Sequence, residues 1–367
     1  MRKILSRMGA AVRGFGFKQW FMTALIAALL LASAASLIGL GAVRRALVSV
    51  TAAERFRGGT DVRFAQIGCF LPVGQGKTEE DIFKFRQTLD SKLVEQSLEA
   101  PENGSLYLDA YCGMGTVTAV GNNGASASVG AVGVGGDFFF FHPLVLRSGS
   151  YIRGGDLMDD LVVLDEETAW KLFGAVDLAG MPMTINGKDF VVSGVAARED
   201  DFATKKAYGG DSGIFMSYSA LSRLLEDTDI SCYELVMPDP ISGFAQNLVK
   251  ENFSVGSGDI VENSSRYALG HLWQVIRDFG NRSMRTNGVI YPYWENAVRL
   301  TEDYAALLTA LAALFAFYPA CFALVNLIRY TVKTYRFAKA KIPEKVEAAV
   351  EKRREERLEH EFQNKGD

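Results

Sequence analysis

The sequence predicts an α+β membrane protein in which two transmembrane helices flank one two-lobed domain held outside the cytoplasm. Three observations predict this. Two long blocks of the chain carry no charge at all, Trp20 to Val43 and Tyr304 to Ile328. Between them, short apolar runs alternate with helical patterns. One Asn-Gly pair sits between two alternating runs, which is a hairpin pattern.

The composition supports the layout. The chain has 367 residues, 49% hydrophobic and 22% charged, with a net charge of −4. It is long enough for a sizeable core. No strongly basic segment argues for nucleic acid as a partner. Each apolar block exceeds the roughly 20 residues that a helix needs to cross a bilayer. A helix satisfies its own backbone hydrogen bonds in lipid, so it is the expected form there.

The first element, residues 1–18, reads as a cytoplasmic amphipathic segment with Ile4, Leu5, Met8, Val12 and Phe15 set against Arg2, Lys3, Arg7 and Arg13. It is expected at the membrane surface, with contact to an ATPase as the alternative. Residues 19–43 form the first span. Ala32-Ser33-Ala34 resembles a signal-peptide cleavage site, but the apolar run continues past it, which favours an anchor. Residues 304–328 form the second span, with Pro319 expected to kink it. Lys and Arg crowd the stretch after this span, from Arg329 to Lys345. By the positive-inside rule both termini are cytoplasmic, in a bacterial cell membrane, and residues 44–303 lie outside. Residues 329–367 are a charged tail, helical from Pro343 to Phe362, with docking of a cytoplasmic partner as the sharper reading. Trp20 is expected at the membrane interface. Tyr291, Tyr293 and Trp294 are expected either there, as an outer aromatic belt, or packed in the domain.

Within the outer domain, Asp61–Phe70 reads as a strand and Glu79–Leu98 as a helix. Thr78 is its cap, and Ile82, Phe83, Phe85, Leu89, Leu93 and Val94 form its apolar face. A strand follows from Ser105 to Cys112, completing a β-α-β unit. Residues Gly113–Gly136 read as weak strand and loop. Leu161–Leu164 is a short strand, and Asp165 caps a helix bearing Ala169, Leu172 and Phe173 and ending at Gly174. Asn186-Gly187 makes a type I′ turn, with Met183, Ile185, Phe190 and Val192 alternating on its arms. A helix over Ala220–Leu225, a strand from Cys232, a helix over Phe244–Phe253 and an edge strand over Asp259–Asn263 give a second β-α-β unit. Leu269, Leu272, Trp273, Ile276 and Phe279 mark an amphipathic helix. The α/β lobe then covers about 52–122 and 230–265, the inserted β-rich lobe about 123–229, and membrane-proximal helices 266–303.

No chemistry stands out. Gly74-Gln75-Gly76-Lys77-Thr78 has Leu71 where a phosphate loop needs glycine. The three histidines, His142, His271 and His360, lack metal-ligand spacing. Asp156, Asp159, Asp160, Asp165 and Glu166 read as a solvated run and a cap rather than a metal site. Cys69, Cys112 and Cys232 read as small buried hydrophobes, with one disulfide possible. No cofactor, metal or catalytic residue is expected.

One ordered set of motifs is informative. GGDFFFFHPLVLRSGSYI is followed by VVLDEETAWKLFGAVDLAGMPMTINGKDFVVSGV, in which Phe173-Gly174, Gly180, Asn186-Gly187 and Gly194-Val195 fall in sequence. This set resembles the periplasmic core domain of MacB-type, FtsX-like ABC transporter permeases. The resemblance implies a porter-like α/β lobe carrying a β-rich subdomain, no cofactor, and a cytoplasmic ABC ATPase as partner. It also implies that the domain moves as ATP is hydrolysed. The family permease has three helices after its outer domain, whereas one is predicted here. A second permease chain, in a homo- or hetero-oligomer, would complete a transport path. The alternative is a non-transporting bitopic scaffold or sensor whose outer domain binds a protein or envelope ligand.

Overall fold

The computed structural model describes residues 16–45, 47–58, 62–98, 105–153, 158–208, 213–226, 228–280 and 282–363. Most of the predicted 1–18 segment, and Asp156, lie outside them. In chain order the elements begin with α1 (Phe17–Arg45), α2 (Ala52–Arg57), β1 (Phe64–Phe70), α3 (Glu79–Glu95), β2 (Leu108–Gly121) and β3 (Ser126–Gly136). Then come α4 (Phe138–Phe141), β4 (Leu146–Gly149), β5 (Leu161–Asp165), α5 (Glu166–Phe173), β6 (Pro182–Ile185) and β7 (Lys188–Ala196). The chain continues through α6 (Phe202–Ala207), β8 (Ile214–Ser217), α7 (Tyr218–Leu224), β9 (Cys232–Pro238), α8 (Phe244–Asn252) and β10 (Asp259–Glu262). It closes with α9 (Leu269–Arg277) and α10 (Tyr293–Gln363). Two compact units result, Gly39–Leu308 and Met1–Ile38 with Thr309–Asp367.

In the Gly39–Leu308 unit the ten strands share one sheet, ordered β10-β1-β9-β2-β3-β8-β5-β7-β4, with β6 pairing to β2 and β7. Four of them make the α/β lobe. β9 lies between β1 and β2 and is antiparallel to both, so β1-α3-β2 is a split β-α-β unit. β1 lies between β9 and β10 in the same way. The order β10-β1-β9-β2 is that of a ferredoxin-like β-α-β-β-α-β fold, entered by the second lobe between β2 and β9. Helices α3 and α8 cover one face through Ile82, Phe85, Leu89, Leu93, Leu248 and Val249. Phe83 and Val94, expected on that face, are exposed. Each sits one residue from a buried position, a rotation of about 100° around the helix.

Residues 113–136, expected to be weak strand and loop, are instead a long hairpin, β2 against β3, in continuous register from Ala110↔Gly136 to Val120↔Ser126. Its glycines misled the periodicity. A Cβ on Gly133 would lie 2.8 Å from the Leu221 Cβ, and one on Gly113 2.8 Å from the Asp229 carbonyl oxygen. Helix α7 and its following loop press that closely onto the strands. The hairpin therefore belongs to both lobes.

The β-rich lobe has its own core. Ala169, Leu172, Met183, Ile185, Phe190, Val192, Val195 and Leu221 are buried together. Asp165 caps α5 by accepting from the Thr168 amide at 2.6 Å, and Gly174 ends it in the left-handed conformation. Asn186 and Gly187 both have positive φ, as the turn requires.

In the second unit, Ser33 donates its hydroxyl to the Ala312 carbonyl at 3.0 Å. Tyr318 reaches the Met22 sulfur at 3.6 Å, so the two helices run antiparallel there. Two stretches are long and apolar enough to cross a membrane, Phe17–Val43 and Tyr293–Lys339, and only 11% of the most apolar window of each is buried. Their exposed apolar side chains, such as Leu31, Ile38, Leu314 and Phe317, suit contact with lipid. Pro319 lies inside α10, whose assignment is unbroken from Tyr293 to Gln363.

Candidate functional site

The second apolar stretch opens with charge. Glu295, Arg299, Glu302 and Asp303 occupy the first turns of α10, and all four are buried. At i, i+4, i+7 and i+8 they fall on one helical face. That face packs in the domain, so the uncharged part of the helix begins only at Tyr304.

The charges are closed into a network. Arg266, just ahead of α9, is 1% exposed. Its guanidinium donates to Glu302 at 2.9 Å, to Glu295 at 2.5 Å and to the Asn263 side-chain oxygen at 2.5 Å. Arg299 donates to the other Glu295 oxygen at 2.7 Å and reaches Asp259 of β10 at 3.4 Å. Arg282 binds the second Glu302 oxygen and reaches Asp303 at 3.5 Å. His271 of α9 lies 3.4 Å from Glu302. Tyr291 bonds Asp259, and the Arg299 guanidinium lies 3.7 Å from the centre of its ring.

Burial opposes the Glu302 charge. Arg266, the nearby His271 ring and Arg282 outweigh it and hold the carboxyl well below the usual range. Burial also opposes the Arg266 charge, and Glu295 and Glu302 more than offset that. Asp303 shifts the other way, because burial exceeds the help of Arg282.

Beside the network, aromatic rings tie the same turns to the sheet. Tyr291, Tyr293 and Trp294 are buried, at 0%, 2% and 5% exposure, so of the two expected placements they take the one packed in the domain rather than the membrane interface. Their polar edges have protein surroundings instead. Tyr293 stacks on Tyr208, and Trp294 packs against Phe138 and His142. His142 forms a buried pair with Glu234 of β9. Nearby, burial raises the Glu199 carboxyl above its ordinary value. Trp20 is half exposed on α1.

Other predicted residues play structural parts. Phe173, Gly174, Gly180, Asn186, Gly187, Gly194 and Val195 all lie in or against the β-rich lobe. Gly180 donates to the Val192 carbonyl, and Gly194 backs onto Ser148 and Ser150 with no room for a Cβ. None reaches the charged junction. Gly74 and Gly76 line a cleft of ≈ 520 Å³ with Leu71, Met114, Glu226 and Asp229, and those acids suit no phosphate. Thr78 is used as a helix cap in a capping box with Asp81. Asp159 pairs with Arg223, and Asp165 with Arg198. Among the described residues no group of His, Cys, Asp or Glu could hold a metal ion. Cys69, Cys112 and Cys232 are buried and free, although Cys112 and Cys232 face one another across β2 and β9.

Sequence reasoning missed the charged junction. Its signal was present in the four charges at helical spacing directly before an uncharged block. A soluble helix end looks much the same, and the set is completed by residues from elsewhere in the chain, chiefly Asp259, Arg266 and Arg282.

A family profile described as the MacB-like periplasmic core domain matches residues 21–246. The chain belongs to this family. The MacB-like match begins inside α1 and runs through both lobes to α8. Among solved structures, the chain is similar to the periplasmic region of MacB from Actinobacillus actinomycetemcomitans, at 16% identity and a TM-score of 0.40, covering 59% of this chain and 94% of that one. It is also similar to the extracellular domain of the ABC-type transporter YknZ from Gram-positive bacteria, at 14% identity and a TM-score of 0.36, covering 54% of this chain and 100% of that one. No curated protein matches the chain. The protein is thus a MacB-like membrane component whose core domain lies outside the cytoplasm, between two candidate spans.

Proposed function

We propose that this MacB-like chain is a permease-type subunit of an ABC transporter, coupling a cytoplasmic ATPase to movement of its outer domain. The observation that carries the reading is α10. Its first turns are locked into the domain by Arg266, Arg282, Asp259 and the Trp294 cluster, and the same helix continues as the second apolar stretch. A displacement of that helix has a direct mechanical route into the sheet. The domain performs no covalent chemistry, and the ATP is hydrolysed by the partner. Both termini face the cytoplasm of a bacterial cell, and a second permease chain or a second copy completes the assembly.

The test is a mild-detergent pull-down of the tagged full-length chain from its native membrane, followed by mass spectrometry. Co-purification of an ABC ATPase supports the reading. Its absence, under conditions that keep a control transporter intact, overturns it in favour of a bitopic scaffold or sensor. Robust ATPase activity of the purified chain alone would also overturn it.

A further inference from the structure

Tyr291, Tyr293 and Trp294 pack in the domain, whereas the α9 region exposes other aromatic rings. Helix α9 packs through Leu272, Val275 and Ile276 against Leu40 and Val43 of α1 and Ala305 and Ala306 of α10. Val43 is the last residue of the first apolar stretch, and Tyr304 begins the uncharged part of the second. Helix α9 therefore packs at the point where the uncharged parts of both apolar stretches end toward the domain. Part of its surface beside the packed face stays uncovered. Trp273 is 59% exposed and Phe279, just past the helix end, 54% exposed, with Arg277 also exposed. The face that packs is apolar, so these rings are left over from core formation. An exposed Trp with an Arg one turn on suits a headgroup region, where the ring takes the apolar side and the guanidinium a lipid phosphate.

We infer that α9 is an interfacial helix whose Trp273 and Phe279 lie in the outer leaflet of the bilayer. This rests on the two apolar stretches crossing the membrane as proposed. Its effect is to hold the charged junction at a fixed height above the membrane.

The experiment uses the full-length chain with Cys321→Ala, since Cys321 is exposed and the other three cysteines are buried. A cysteine is placed by Trp273→Cys, or by Trp170→Cys as a water-facing control on an equally exposed tryptophan of α5. Each is labelled with an environment-sensitive NBD dye in lipid nanodiscs. Expected at 273 is blue-shifted emission, quenched severalfold more by lipids spin-labelled near the headgroup than by aqueous iodide, with the reverse order at 170. Water-like emission at 273, quenched by iodide, overturns the inference, as does blue-shifted emission insensitive to both quenchers, which marks a protein partner. Failure of the chain to float with liposomes would instead overturn the membrane reading beneath it.

Discussion

Replacing Arg266 with methionine keeps much of its volume and removes its charge from a site that is 1% exposed. The structure then leaves two guanidiniums, Arg282 and Arg299, among four carboxylates, Glu295, Glu302, Asp303 and Asp259, where three stood before. Three donated hydrogen bonds vanish, to Glu295, Glu302 and Asn263. Removing one partner of a buried ion pair costs about 3–5 kcal/mol, because the other charge stays desolvated. Glu295 keeps Arg299 and Glu302 keeps Arg282, which places the expected loss near the lower end, ~3 kcal/mol. The assay is denaturant unfolding of the full chain in nanodiscs, with hydrogen exchange followed in α9 and the first turns of α10. Adding Glu302→Gln to Arg266→Met should recover part of the loss, since it removes a stranded charge. A loss below ~1 kcal/mol, typical of exposed pairs, would refute the claim that the network is dry and interlocked. Lys84→Ala, which breaks an exposed pair with Glu80 on α3, should leave the unfolding midpoint unchanged.

Three further outcomes follow from the same geometry. Glu302 has a folded pKa below its unfolded one, so its contribution is present above the ordinary carboxylate value of ~4.3 and is lost as pH falls from there toward the folded value. Glu302→Gln should therefore flatten the acid limb of an unfolding-against-pH curve, although it lowers stability at neutral pH. Gly187→Ala places a Cβ at φ +77° and should cost about 1–2 kcal/mol by denaturant unfolding, while Gly187→Asn should cost less. Asp165→Ala removes the cap of α5 and one carboxylate from Arg198, and should cost ~1 kcal/mol or somewhat more, whereas Asp165→Asn should keep the cap.

Local chemistry made the β-rich lobe legible. Asp165, Gly174 and Asn186-Gly187 act through the backbone of their own neighbours, so their roles are written within a few residues. The split β-α-β units were readable too, as alternations of apolar runs, but not their order in the sheet. That order depends on β9 inserting between β1 and β2, and residues 108 and 236 are far apart in sequence. The β2-β3 hairpin was obscured for a different reason. Its strands give up side chains so that α7 can approach, and the loss of side chains also removes the alternation by which strands are recognised. The charged junction was the least legible, because its two halves come from 259–282 and 295–303 and meet only in the folded chain. The same physics decides between the two placements expected for Tyr291, Tyr293 and Trp294. An aromatic run before an apolar block carries no sign of whether its rings face lipid or core. What decided it is that Tyr291, Tyr293 and Trp294 share a turn with charges that must themselves be buried and paired.

If α10 couples the membrane to the domain as proposed, that pairing accounts for charge where apolar packing would hold more strongly. A buried ionic network adds little stability over apolar packing, but in this junction a shifted register would leave charges unpaired. Leucines at 295, 299 and 302 would let the helix slide or rotate past α9 at little penalty. With Glu295, Arg299 and Glu302 in those places, a small axial slip separates Arg266 from both its carboxylates at once. The junction therefore resists slippage, whereas from Tyr304 to Ile328 the helix carries no charge that would fix its register in this way. On the proposed coupling role, a helix registered this firmly at its outer end is suited to deliver displacement to the sheet rather than absorb it.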